Sequence, residues 1–170
     1  QDIDRAIAAL AGIGPGVGRV SVHQGPRHTI VLDTVKAPLW STRLLIDDLP
    51  RITSARTIFV LGELSDIGAD SSRRYRQLLR EARRHAALVV GVERATGPAS
   101  RLAEVDKDPA FIAADTIERA VALLEDQPPS VIVFKGNAIE KQHRLLAPLL
   151  GRVIGSSVEE ARKEKAMAAS

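Results

Sequence analysis

Short apolar runs rich in β-branched residues recur along the chain, and segments with apolar residues at helical spacing lie between them. That alternation is the pattern of a parallel sheet covered by helices. It predicts strands near 17–23 (VGRVSVH), 28–33 (HTIVLD), 56–62 (RTIFVLG), 87–92 (ALVVGV), 109–114 (PAFIAA) and 130–136 (SVIVFKG). Helices are predicted near 39–49, 71–85, 115–126 and 138–149. The VIVF run carries no polar side chain on either face, as a central parallel strand should. In AADTIERAVALLED, Asp115 is expected to cap the helix, with Glu118 three residues on and Ile117, Ala120, Val121 and Leu124 forming its sheet-facing stripe.

Only Gly25, Pro26 and Arg27 separate the cores of the first two strands, too short a link for a parallel crossover, so these two should form an antiparallel hairpin at one edge. The fold class is therefore α/β, a Rossmann-like, mostly parallel six-stranded sheet with helices on both faces. Residues 1–16 read as an entry helix and Gly-rich linker from something upstream, 17–151 as the domain, and 152–170 as a polar helical tail.

At 170 residues the chain is long enough to bury one sizeable core. It contains no cysteine, which excludes disulfides, cysteine-ligated metals and thiol chemistry. No signal or membrane segment is read from it, so a cytoplasmic setting is expected. The 24 basic residues are interspersed with 21 acidic ones and aromatics are scarce. Such a surface is solvated rather than built for nucleic acid, and neither nucleic acid nor membrane is expected as a partner.

The glycines of GPGVG (14–18) follow a helix and precede a strand, the reverse of a phosphate-cradling loop, and GxxxxGK[ST] occurs nowhere. The four histidines lack the i, i+4 spacing of a helical metal site, and no metal ligands are proposed. In parallel α/β sheets, ligands sit at the carboxyl ends of the strands. Asp33, Glu63 and Lys135 each stand at such an end, with Gly136 and Asn137 following the lysine. A lysine buried against a carboxylate would be structural rather than catalytic, and spacing does not separate the two.

The order of these pieces resembles the C-terminal domain of the Mur ligases, above all of those members that join D-alanyl-D-alanine to UDP-muramoyl-tripeptide. Gly18-Arg19 opens the first strand, Asp33 ends the second and Ser41 matches a helix serine. In LGELSDIGADSSRRYRQLLREA, Leu61, Gly62, Glu63, Asp66, Gly68 and Arg76 fall in line without a gap, while Tyr75 replaces a histidine. Lys135-Gly136 matches a Lys-Gly-Ser ending, with Asn137 in place of the serine. Where the family shows Tyr-Asn-Ala-Asn-Pro, this chain has Val35-Lys36-Ala37-Pro38-Leu39.

The resemblance implies one domain of an ATP-dependent amide ligase in which a carboxylate is activated as an acyl phosphate and attacked by an amine. ATP and Mg²⁺ would be held mainly by an upstream domain, which accounts for the missing P-loop, and this domain alone should be inactive. By carry-over, Arg19, Asp33 and Lys36 face the nucleotide, and Glu63, Lys135, Gly136 and Asn137 the amino-acid or dipeptide substrate. The other substrate would be a UDP-muramoyl-peptide. The altered VKAPLWS loop keeps two alternatives open: a related ligase for another amine, as in folylpolyglutamate or cyanophycin synthesis, and a non-catalytic binding module.

Overall fold

The structure, a computed structural model, describes residues 18–68, 71–137 and 139–152. The entry helix and the polar tail expected at the two ends lie outside the described residues. Six strands form one sheet: β1 (Arg19–Gln24), β2 (Thr29–Asp33), β3 (Thr57–Leu61), β4 (Leu88–Val92), β5 (Phe111–Ala114) and β6 (Val131–Lys135). Their spatial order is β1-β2-β6-β3-β4-β5. β1 pairs antiparallel with β2, and every other pairing is parallel. The hairpin expected from the Gly-Pro-Arg link is thus in place, closed by a Gly25 amide that donates to the His28 carbonyl at 2.8 Å.

Because successive strand side chains point to opposite faces, each apolar run feeds two cores. Leu32, Val60, Val90 and Phe134 face one side, where α4 (Ile117–Glu125) covers them with Ile117, Ala120, Val121 and Leu124. Val31, Phe59, Val89 and Val133 face the other. There α1 (Leu39–Ile52), α2 (Ser71–Arg83) and α3 (Thr96–Val105) lay down Leu45, Ile46, Leu49, Leu78, Leu79 and Leu102. Each of these large side chains, fully buried, contributes on the order of 2 kcal/mol by its transfer from water.

Three expectations need correction. α3 was not predicted, because the segment opens with Thr96-Gly97-Pro98 and its buried positions are mostly small, Pro98, Ala99 and Leu102. It packs so tightly that a Cβ on Gly91 of β4 would collide with the Ala95 carbonyl and stand 2.7 Å from the Ala99 Cβ. The cap of α4 is Thr116, whose side chain accepts from the Arg119 amide, while Asp115 forms an exposed ion pair with Arg119 at 3.1 Å. The helix expected over 138–149 is mostly 3₁₀ (Ile139–Leu146) and turns α-helical only in α5 (Ala147–Leu150), where Pro148 lacks the amide that would bond back into the preceding turn. Among the described residues no helix is long and apolar enough to cross a membrane.

Candidate functional site

Parallel pairing brings the carboxyl ends of β2, β6 and β3 side by side, with Asp33 beside Lys135 and Lys135 beside Leu61. The chain does not separate there. The Gly62 amide donates to the Lys135 carbonyl at 2.8 Å, and the Asn137 amide to the Glu63 carbonyl at 2.7 Å. Gly136 is buried between these strands and Asn137 stands exposed at the rim. Antiparallel pairing of β1 adds Arg19 to the same edge, opposite Asp33. The Arg19 side chain is exposed there and has no hydrogen-bond or ion-pair partner among the described residues. The register slips between Arg19 and Ser21, where Val20 takes a left-handed φ of 54°, a conformation that turns this end of the edge strand.

Lys135 is 1% exposed, which for a lysine demands full pairing. Its Nζ donates to Asp33 Oδ2 at 2.6 Å and to the Lys36 carbonyl at 2.9 Å. Asp33 itself is partly open to solvent, with 18% of its side chain exposed. Of the two readings left open for this lysine, geometry places it in a buried ion pair. The Lys36 side chain, by contrast, is exposed on the loop whose carbonyl Lys135 holds.

That loop, residues 34–38, is tied at every turn. The amides of Thr34 and Val35 both donate to the Gly18 carbonyl, at 2.7 and 3.1 Å, and the Ala37 carbonyl accepts from Ser65 at 3.0 Å. Asp66 Oδ1 accepts from the Leu39 amide at 2.8 Å and so caps α1, which has no cap of its own from Pro38. Thr34 Oγ1 bonds His143 Nε2 at 2.8 Å inside the protein. Burial, with His23 nearby as a second cause, pushes His143 down to about 4, so it is the neutral imidazole that meets Thr34. Gly18, at φ 82°, is required at this junction: a Cβ there would lie 2.9 Å from Thr34 Oγ1 and 3.0 Å from the His143 ring.

On the other flank Glu63 forms an ion pair with Arg94 at 3.1 Å, and its amide approaches Glu93 Oε2 at 3.4 Å. Glu93 holds a left-handed φ of 52° directly after β4. Sequence reading missed Glu93 and Arg94, although the rule that singled out Asp33, a charged residue closing an apolar strand, applies equally to LVVGVER. Tyr75 is buried and accepts from the Leu64 amide through its hydroxyl at 2.9 Å. Burial raises its pKa, so the hydroxyl stays neutral. It thereby fastens the Glu63 loop to α2.

From Asp33 a mostly apolar groove of about 560 Å³ runs between β1 and α1, lined by Val20, Ser41, Leu44, Leu45 and Asp48 among others. The sequence-named residues therefore share one edge of the sheet: Arg19, Asp33 and Lys36 around the mouth of β2, and Lys135, Gly136, Asn137 and Glu63 from β6 towards β4. Among the described residues no group of three or more His, Asp or Glu side chains is placed to hold a metal ion.

No family model matches this chain, and no curated protein matches it by sequence. Solved structures do. A structure of MurF from Acinetobacter baumannii superposes with a TM-score of 0.71 at 20% identity, over 88% of this chain and 34% of that one. MurF ligase from Thermotoga maritima in complex with ADP gives 0.61 at 18% identity, over 88% and 36%. A domain from a putative UDP-N-acetylmuramate:L-alanyl-gamma-D-glutamyl-meso-diaminopimelate ligase from Haemophilus ducreyi gives 0.51 at 19% identity, over 77% of this chain and 99% of that domain. The chain spans about a third of the length of the two MurF structures, and the likeness establishes a shared fold.

Proposed function

We propose that this chain is the C-terminal domain of an ATP-dependent, amide-bond-forming ligase of the Mur type, working in the cytoplasm on peptidoglycan precursors. The observation that carries this reading is the grouping of Arg19, Asp33 and Lys36 at one sheet edge, in a fold shared with a MurF ligase that is in complex with ADP. The residues fit a nucleotide. Arg19 and Lys36 are exposed cations suited to phosphate oxygens. Asp33 commits Oδ2 to Lys135 and offers its other oxygen to a hydroxyl such as those of ribose. The apolar groove beside it suits a flat, weakly polar group.

When bound, ATP supplies the phosphoryl group that activates a carboxylate towards an amine. Mg²⁺ would sit on the phosphates and on the upstream ATP-binding domain. This chain's own part is to bring its cations against the phosphates and exclude water as the domains close. Glu63, with Asn137 and Gly136 beside it, faces the amino-acid or dipeptide side. The Glu63 carboxylate, with Oε1 on Arg94, keeps its other oxygen for an incoming ammonium, and the exposed Asn137 amide matches a peptide group. The acyl partner is a UDP-muramoyl-peptide.

The test is ADP release by the longer protein given Mg-ATP, UDP-muramoyl-tripeptide and D-alanyl-D-alanine, with each acceptor omitted in turn. Release that requires both is the expected result, and Lys36→Ala should reduce turnover while leaving the melting temperature nearly unchanged. A folded protein that releases no ADP would overturn the reading. A second reading, a ligase for a different amine, is favoured by Lys36 standing where the family motif has asparagine, and glutamate-type acceptors in the same assay distinguish it.

A further inference from the structure

We infer that Lys135 is a positioning residue: it acts through the 34–38 loop to set where Lys36 stands, and does not itself touch substrate. The functional half of this rests on the nucleotide reading above. The geometry comes from four observations. Lys135 is 1% exposed, so its ammonium lies beneath the surface that a ligand would meet. Its ammonium donates to Asp33 Oδ2 at 2.6 Å and to the Lys36 carbonyl at 2.9 Å, both groups of this chain. The first partner closes β2 and the second is the backbone of the exposed cation three residues on. Finally, the 34–38 loop contains no repeating secondary structure, so individual contacts set its path, and the one at the Lys36 carbonyl is made by Lys135.

A buried lysine bridging a carboxylate and a carbonyl is a costly arrangement to desolvate, and an apolar side chain would fill the same space. What an apolar residue cannot do is specify the loop. The ammonium has three protons in a tetrahedral fan, and two of them go to groups on either side of Thr34 and Val35. Together with the Gly18 carbonyl, which accepts from Thr34 and Val35, the bridge fixes the loop on both sides of the residues between Asp33 and Lys36. The Lys36 backbone is then held before any ligand arrives, so less of a phosphate contact is spent on ordering it.

The test uses the 170-residue chain with Mg-ATP as the probe, and with Lys36→Ala, Lys135→Met and the double variant. Binding is followed in ¹H–¹⁵N spectra at millimolar nucleotide, and amide exchange of residues 34–37 is measured without nucleotide. Lys36→Ala should weaken binding about tenfold, the size of one charge-assisted contact. Lys135→Met should weaken it by a similar factor although Lys36 is intact, and the double variant should be no weaker than either. Losses that multiply, or unchanged binding by Lys135→Met, would overturn the positioning role while leaving the nucleotide reading standing. If the wild-type chain shows no response to Mg-ATP, the contact needs the upstream ATP-binding domain, and the nucleotide reading is judged by ADP release from the longer protein. Exchange then decides the inference: faster exchange at 34–37 in Lys135→Met supports it, and unchanged exchange sinks it. Should Lys135→Met fail to fold, Lys135→Gln serves, because its side chain is one atom shorter and reaches only one of the two acceptors.

Discussion

Lowering the pH from 7 to 5 should cost the fold about 2 kcal/mol through His143 alone. This side chain is buried, and burial holds its folded-state pKa at about 4 against 6.5 for an exposed histidine. Below pH 6.5 the unfolded chain takes up a proton that the folded one refuses, so stability rises with pH between about 4 and 6.5 and is lost as pH falls through that window. The whole gap corresponds to about 3 kcal/mol at 1.36 kcal/mol per pH unit, and rather more than half of it is expressed at pH 5. For a domain of this size that is a fall of about 4–8 °C in melting temperature. Urea unfolding followed by far-UV circular dichroism is the suitable assay, since Trp40 is 66% exposed and its fluorescence reports folding poorly. His28, also buried and also pushed down, works in the same direction. The measure is therefore the difference between wild type and His143→Gln, which does not titrate. Parallel stability profiles for the two proteins between pH 5 and 7 would mean that His143 does not carry this loss.

Other outcomes follow from packing and capping. Gly91→Ala should destabilise by about 3 kcal/mol or more, because the added methyl meets backbone of the α3 entry rather than a movable side chain; a cost below about 1 kcal/mol in urea unfolding would show that α3 can slide away. Thr116→Ala should cost about 1 kcal/mol through loss of the α4 cap, whereas Asp115→Ala should stay within about 0.5 kcal/mol. The reverse ranking would restore Asp115 as the cap. Arg19→Ala in the longer protein should lower turnover and leave melting unchanged, and a large drop in melting temperature would instead assign Arg19 to structure.

The strands were legible because a doubly covered parallel sheet writes itself as apolar runs such as TIFVL and VIVF, with no alternation to blur them. α3 was illegible for the opposite reason. Its grip comes from Pro98, Ala99 and the absence of a side chain at Gly91, and close approach of small residues leaves little hydrophobic periodicity. The edge of the site could be read from strand ends alone. The state of Lys135 could not, because its partner is 102 residues away and only the insertion of β6 beside β2 brings them together. Asp115 was preferred to Thr116 because both are capping residues at adjacent positions, and which backbone turns into the helix first is decided by β5, not by the local sequence.

The strand order has a consequence for how the protein is made. Of the six strands described, β6 is synthesised last, yet it lies in the middle, between β2 and β3. Until residues 131–135 appear, β2 and β3 have no direct partner in each other, and each presents an unpaired row of amides and carbonyls on an apolar strand. At 5–20 residues per second, the roughly 70 residues from Leu61 to Val131 keep the β3 edge open for about 4 to 14 s. A nascent chain in that interval carries two half-sheets joined by a gap, the form of edge that recruits other strands. Closing the gap is then the late, non-local step that limits folding, and a chain stalled before Val131 should need a chaperone far more than one stalled a few residues after Lys135.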